Sequence, residues 1–479
     1  MAYKRSVTIL MINSIRKILG KETQIRIKYS INKNWYCDIK ETEITEDLLL
    51  KITEDMKQVI SKNLKIEKLN IPTKEGIELL KKYKMNDRAN GLKYVRKSYI
   101  NLYKLEETYD YLYGSMALFT GELNKFSLIK NEDNSFTLCF PNPLNPNEIS
   151  EYKNIKNLTQ VFEESSEWAK IVGVDYVEAL NSAICDEKIK DIILISEALQ
   201  EKKIANIADM ITKENKKFVL IAGPSSSGKT TFANRLCIQL KVNGIKPYVI
   251  SLDDYYVDRD KVPIGEDGEP DFECLESLDV AKINEDMEKL LKGEIAEIPK
   301  FNFVTGTREK TKAMRLEENE IIILEGIHGL NEKISEKIPK NMKFKVFISA
   351  LTQLNIDSHN RIPTTDARMF RRIVRDHYFR GFGVKATLDM WANVMKGEVK
   401  HIFPFQKEAD VIFNSALIYE LAVLKPFVEP LLYKISSDEK EYAEATRLIK
   451  FLDSFLPITC LNAIPSNSII REFIGGSCF

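Results

Sequence analysis

Lys217-Phe218-Val219-Leu220-Ile221-Ala222-Gly223-Pro224-Ser225-Ser226-Ser227-Gly228-Lys229-Thr230-Thr231 is the stretch from which the rest of the chain is read. An apolar, β-branched run ends in a glycine, small residues follow, and Gly-Lys-Thr opens a helix-like sequence. This is the spacing of a phosphate-binding loop: backbone N–H groups converge on a phosphate only where side chains stay out of the way. Gly223, Pro224, Ser225, Ser226, Ser227 and Gly228 supply that bare backbone, and a helix starting near Thr230 adds its positive end. Lys229 is placed to reach the β- and γ-phosphates, the Thr230 hydroxyl to ligate Mg²⁺, and Thr231 to complete the cradle. The next segment puts Phe232, Leu236 and Leu240 on one helical face, and Gly244 stands where a C-terminal cap belongs.

The chain is 479 residues long, enough for two or three domains, and 44% of it is hydrophobic. Lys+Arg 70 and Asp+Glu 70 cancel, so no global charge argues for nucleic acid or an anionic membrane. The 7 cysteines are scattered with no Cys-x-x-Cys pair, the pattern of reduced thiols and of a cytoplasmic protein. The apolar run from Val7 to Ile12 is too short for a signal peptide or a membrane span.

Residues 1–140 read as an α+β unit. A helix is expected over Val7–Leu19, strands over Gln24–Ile31 and Trp35–Ile39, and helices capped by Thr45 and by Thr73. Tyr109–Ile129 and Ser135–Phe140 are expected as strands. Pro141-Asn142-Pro143-Leu144-Asn145-Pro146-Asn147 cannot continue a strand or helix and marks a boundary. Residues 141–215 then read as this linker and a helical connector. Residues 216–435 carry continuous apolar strands at Pro247–Leu252, Glu320–Leu324, Met342–Ile348 and Val411–Phe413, alternating with helices. That pattern predicts a parallel sheet covered on both faces, with its ligand site at the carboxyl ends of the strands. Residues 436–479 read as a helical extension, with helix expected from Pro426 through Lys450, and a Gly475-Gly476 tail that either trails free or closes over the nucleotide.

Chemistry-bearing residues stand at the predicted strand ends. Ser251-Leu252-Asp253-Asp254-Tyr255-Tyr256 offers two carboxylates that take a proton from a hydroxyl or hold Mg²⁺. Ile323-Leu324-Glu325-Gly326-Ile327-His328 puts Glu325 where an acidic residue completes Mg²⁺ binding. Arg368, Arg371, Arg372 and Arg375 recur at helical spacing ahead of Arg380, which suits a lid over spreading phosphoryl charge; a short basic stripe for RNA is the weaker reading.

From Phe218 to Ile435 these residues resemble the uridine kinase and phosphoribulokinase family of P-loop kinases. The resemblance implies ATP as donor, Mg²⁺ as cofactor and a nucleoside 5′-hydroxyl as acceptor. It places the general base on Asp253, the ribose-binding acid on Glu273, Mg²⁺ on Thr230 and Glu325, lid arginines on Arg372, Arg375 and Arg380, and acceptor contacts on Tyr256, Phe301 and Arg375. The chain departs from the family at Phe301, Gly306 and Phe382, where uridine kinases carry Tyr, His and Arg, so the base is left open. A regulatory or tRNA-binding role, or another alcohol such as a sugar phosphate, stays as the alternative.

Residues 1–140 resemble the second additional, editing domain of threonyl-tRNA synthetases, through the opening helix, Tyr29-Ser30-Ile31, Trp35-Tyr36-Cys37-Asp38-Ile39 and Tyr109-Asp110-Tyr111-Leu112-Tyr113-Gly114. The positions of that family's metal ligands fall on Ile9, Asn13, Leu112 and Met116, which carry neither imidazole nor thiolate, so no editing activity is expected. The unit is expected to pack or dimerise, which makes a homo-oligomer possible. Together the two resemblances and the tail look like bacterial nucleoside kinases of this fused architecture.

Overall fold

A computed structural model of the chain describes residues 2–142, 145–149, 156–265, 268–302, 305–352 and 354–479. The amino-terminal unit opens with α1 (Ala2–Leu19), then β1 (Ile25–Ile31), β2 (Asn34–Ile39) and α2 (Glu46–Ser61). Next come β3 (Glu67–Pro72), α3 (Thr73–Lys82), α4 (Asn86–Gly91), β4 (Tyr99–Leu105), β5 (Thr108–Asp110), β6 (Ser127–Lys130) and β7 (Phe136–Cys139). Two antiparallel sheets form, in the orders β1-β2-β7-β6 and β3-β4-β5. The inward positions of β1 alternate with exposed ones, so Ile25 and Ile27 meet Leu10 and Ile52 in one core.

The pair β8 (Pro141–Asn142) and β9 (Asn145–Ile149) leads to the connector helices α5 (Lys156–Val172), α6 (Val177–Cys185) and α7 (Ile189–Lys213). The remaining elements are β10 (Phe218–Ala222), α8 (Lys229–Val242), β11 (Lys246–Ser251), α9 (Val280–Leu291), β12 (Ala296–Asn302), β13 (Thr307–Met314), β14 (Glu320–Glu325), β15 (Lys343–Ser349), α10 (Thr364–Phe379), α11 (Val384–His401), β16 (Val411–Asn414), α12 (Glu420–Leu432), α13 (Tyr442–Leu452) and α14 (Arg471–Ile474). Five parallel strands order as β11-β14-β10-β15-β16, and β12 with β13 forms a separate ribbon. Strand alternation splits the apolar side chains of β10. Val219 and Ile221 face Phe232 and Leu236 of α8, and Phe218 and Leu220 face Ile283 and Met287 of α9. Every side chain of β10 is buried, as a central strand covered on both faces requires.

The α/β class and the parallel sheet agree with the sequence expectation, and the differences are local. The Pro/Asn stretch carries the short antiparallel pair β8–β9, because a solvent-exposed ribbon tolerates missing N–H groups; Pro143 and Leu144 lie outside the described residues. Thr73 is the first residue of α3 rather than its cap: Pro72 takes that place, and the Thr73 hydroxyl donates to the Lys97 carbonyl. Tyr109–Ile129 is not one strand. Its ends pair in β5 and β6, Phe119 makes an isolated antiparallel bridge with Lys65, and the chain then turns through Thr120–Glu122. The helix expected from Pro426 to Lys450 is two, α12 and α13, with a break between Leu432 and Tyr442. The connector packs on its neighbours: Phe162 stacks on Tyr29 with ring centroids 4.2 Å apart, in a cluster shared with Ala222 and Phe347.

Candidate functional site

The loop between β10 and α8 is bare because its neighbours leave no room. A Cβ on Gly223 would lie 2.2 Å from the Ile348 carbonyl oxygen, and Gly228 has a positive φ of 82°. Ser226 also sits at positive φ, 59°, and the Ser226 and Ser227 hydroxyls are buried with no hydrogen-bond partner among the described residues. A backbone cradle lined by unsatisfied donors fits an anion with several acceptor oxygens. Lys229 lies back across the loop, donating to the carbonyls of Gly223 at 3.0 Å and Pro224 at 3.3 Å.

Three carboxylates share Lys229 as a neighbour. Burial pushes the Glu325 carboxyl up to about 7, with Lys229 pulling the other way. Glu273 is likewise raised to about 7 by burial and by the charge of Glu398, opposed by Arg372 and Lys229. Asp253 is raised by burial and lowered by Lys229 and then Arg380. Glu325 closes β14, where its Oε1 accepts from the Thr230 hydroxyl at 3.3 Å. Asp253 starts the turn after β11. Among the described residues no group of three or more His, Cys, Asp or Glu side chains is arranged to hold a metal ion. Thr230 and Glu325 therefore fit a cation held mainly by phosphate oxygens and water, as Mg²⁺ is.

Asp254 is spent on structure. Its carboxylate accepts from the Phe301 N–H at 3.3 Å and pairs with Lys300 at 3.1 Å, tying the β12–β13 ribbon to the turn. Phe301 and Tyr256 face each other with ring centroids 5.8 Å apart, and the Tyr256 hydroxyl donates to the Phe272 carbonyl at 3.2 Å. Phe303 and Val304, in the segment read as leading to the acceptor pocket, lie outside the described residues.

The arginine run divides in two. Arg368 and Arg371 are buried: Arg368 donates to the Ser225 carbonyl at 3.0 Å and pairs with Glu398, while Arg371 pairs with Glu420. They brace the loop from behind and are no lid. Arg372 donates to the Ser225 hydroxyl at 3.0 Å, and Arg380 caps the exposed end of α10. Arg375 is held by Asp376 at 3.0 Å.

Two further residues belong to the site and carry no local signal in the sequence. Glu398, on α11, accepts from the Ser225 N–H at 3.1 Å, and its neighbour Gly397 gives Glu273 the room it needs, since a Cβ there would meet Glu273 at 2.8 Å. Glu472, in the short α14, accepts from the Thr231 hydroxyl at 2.7 Å.

Residues 218–421 match the family model described as "Phosphoribulokinase / Uridine kinase family". This stretch is a domain of that family. Over it the chain is 27% identical across 210 residues to a uridine kinase from Staphylococcus haemolyticus, covering 44% of this chain and 92% of that protein. A uridine kinase from Lactobacillus johnsonii is 28% identical across 193 residues, 40% of this chain and 83% of its own length. Among solved structures, a possible uridine kinase from Bacillus stearothermophilus is 21% identical, with a TM-score of 0.29 over 42% of this chain and 89% of that one.

Proposed function

We propose that the family domain is a kinase that moves the γ-phosphoryl group of ATP onto the 5′-hydroxyl of a nucleoside. The contrast between the two adjacent aspartates carries this reading. Asp254 has both oxygens engaged, whereas the Asp253 carboxylate takes no hydrogen bond among the described residues and faces Lys229 beside the phosphate cradle. A free carboxylate next to a triphosphate site is what proton removal from an alcohol needs.

In this reading Asp253 accepts the hydroxyl proton, Glu273 orients the ribose hydroxyls, and Phe301 and Tyr256 flank the acceptor. Lys229 and Arg380 neutralise the charge that grows on the transferring group, and Arg372 holds the loop at Ser225. Thr230 and Glu325 would hold Mg²⁺, which supplies further neutralisation of the phosphates. The amino-terminal unit, with Ile9 and Leu112 in its apolar core and Asn13 bonded to Glu106 at 2.7 Å, serves packing in this scheme.

A panel of nucleosides with ATP and Mg²⁺, read by ADP release, tests the activity and names the base. Asp253→Asn is expected to lower turnover by about 10²–10⁴-fold with nucleotide affinity kept. Release of ADP at the wild-type rate in that variant removes Asp253 from the role; no turnover with any nucleoside rejects the acceptor class.

A further inference from the structure

The chain beyond residue 421 lies outside the family match, yet its end is docked on the phosphate loop. Ile469, Ile470 and Phe473 are fully buried. Ile469 lies against Gly228, where a Cβ would come within 2.6 Å of its Cγ2, and the Phe473 ring sits 5.1 Å from the Arg371 guanidinium. The turn is fixed by Arg471, which donates to the carbonyls of Leu461 and Ile464 at 2.8 Å each. This anchoring delivers one carboxylate to the first turn of α8: Glu472 Oε2 accepts the Thr231 hydroxyl proton at 2.7 Å.

The Thr231 hydroxyl has one proton. A phosphate oxygen at neutral pH has none to offer, so Thr231 donates to Glu472 or to a phosphate, not to both. The site is also an anion site by construction, since α8 points its free N–H groups at it. Glu472 thus sits where an anion is stabilised, with the same hydrogen-bonding chemistry as a phosphate oxygen. Thr231 is 3% exposed, while Glu472 itself is only half-buried. The glutamate side chain is therefore able to swing away while the buried isoleucines and Phe473 keep the tail in place.

We propose that Glu472 is a built-in competitor for the donor nucleotide, holding Thr231 until a phosphate group displaces it. The proposal rests on the reading of the loop as the ATP site and adds a threshold to it. The carboxy-terminal segment keeps the cradle closed to weakly bound anions and releases Thr231 to a ligand that also engages Lys229 and the loop backbone.

The test is the affinity of the full-length protein for ADP with Mg²⁺, measured by calorimetry without an acceptor. Glu472→Gln, which keeps shape and removes charge, is expected to tighten binding by about tenfold, the size of one hydrogen bond to a charged group. Glu472→Ala is expected to do the same, and a thermal melt of each variant checks that the fold is kept. In a Thr231→Val background the gain from Glu472→Gln is expected to shrink, because the shared proton is gone. Unchanged or weaker binding in both glutamate variants overturns the competitor role and leaves the nucleotide site standing. So does a gain that persists undiminished beside Thr231→Val. A wild-type protein and variants that all fail to bind ADP or ATP overturn the nucleotide reading, and the competitor with it.

Discussion

The Glu325 carboxyl is 8% exposed, touches the Thr230 hydroxyl at 3.3 Å, and is raised to about 7 by burial. Its pKa is therefore higher in the folded chain than in the unfolded one. The folded state then binds the extra proton between its ordinary range and about 7, so this group's contribution to stability is present at low pH and is lost as pH rises through about 7. Removing the titration isolates the effect. Glu325→Gln is expected to gain on the order of 2 kcal/mol over the wild type at pH 8 and almost nothing at pH 5, as read from urea unfolding at both values. Equal gains at the two pH values would contradict the assignment. The same residue gives an activity signature: a cation site that needs ionised Glu325 is expected to demand more Mg²⁺ below pH 7 than above it. The glycines, Lys229, Thr230, Asp253 and Glu325 were legible because each is fixed by a short local pattern at the end of an apolar strand. Glu398 and Glu472 were not, since nothing in the residues around them says which distant loop they reach.

At the scale of elements, α10 and α11 clamp the phosphate loop from opposite sides of one residue. Arg368 of α10 holds the Ser225 carbonyl and pairs with Glu398 of α11, which in turn holds the Ser225 N–H. Both partners are buried, so breaking the pair leaves a charge without compensation. Glu398→Ala is expected to cost about 3–5 kcal/mol of stability and to weaken ADP binding as well, because Ser225 loses its position. A melting temperature equal to that of the wild type would show that the clamp carries no energy. The strands of the parallel sheet were readable since each is a continuous apolar run whose burial on both faces needs no help from context. The Tyr109–Ile129 stretch misled for the opposite reason. Tyr109, Tyr111 and Tyr113 recur at every second position as in a strand, yet the Tyr111 and Tyr113 rings pack edge to face at 5.0 Å beside the loop that precedes α10. Tertiary contacts, not propensity, set that conformation. The Arg368–Arg380 run shows the same limit: helical spacing gave the helix, while burial decided that Arg368 and Arg371 brace and Arg372 and Arg380 face the site.

Across the whole molecule, the amino-terminal unit is joined to the family domain by buried charge. Arg88 of α4 pairs with Asp110 at 3.1 Å inside its own unit and with Asp357 at 3.0 Å across the boundary. His359, beside Asp357, meets Asp110 at 2.7 Å, and burial holds its imidazole down at about 4, so it is neutral at physiological pH. Asp357 is raised to about 6 by burial, with Arg88 as the main opposing charge. Asp357 and His359 lie on the segment between β15 and α10, so the amino-terminal unit grips the base of the helix that carries Arg372 and is capped by Arg380. Stacking of Phe162 on Tyr29 joins the same units through the connector. Packing that crosses the boundaries in this way predicts one cooperative unfolding transition, with far-UV circular dichroism and tryptophan fluorescence (Trp35 in the first unit, Trp168 on α5, Trp391 on α11) coincident in urea. Arg88→Ala removes the cation that Asp110 and Asp357 share and leaves Asp110 with Arg16 alone, at a cost of about 3–5 kcal/mol. The loss falls on the boundary, so the two probes are expected to separate in that variant, and raising the pH from 5 to 8 is expected to widen the gap as Asp357 loses its proton. Coincident curves in the variant at both pH values would mean that the apolar contacts alone couple the units and that the ion cluster serves only the amino-terminal fold.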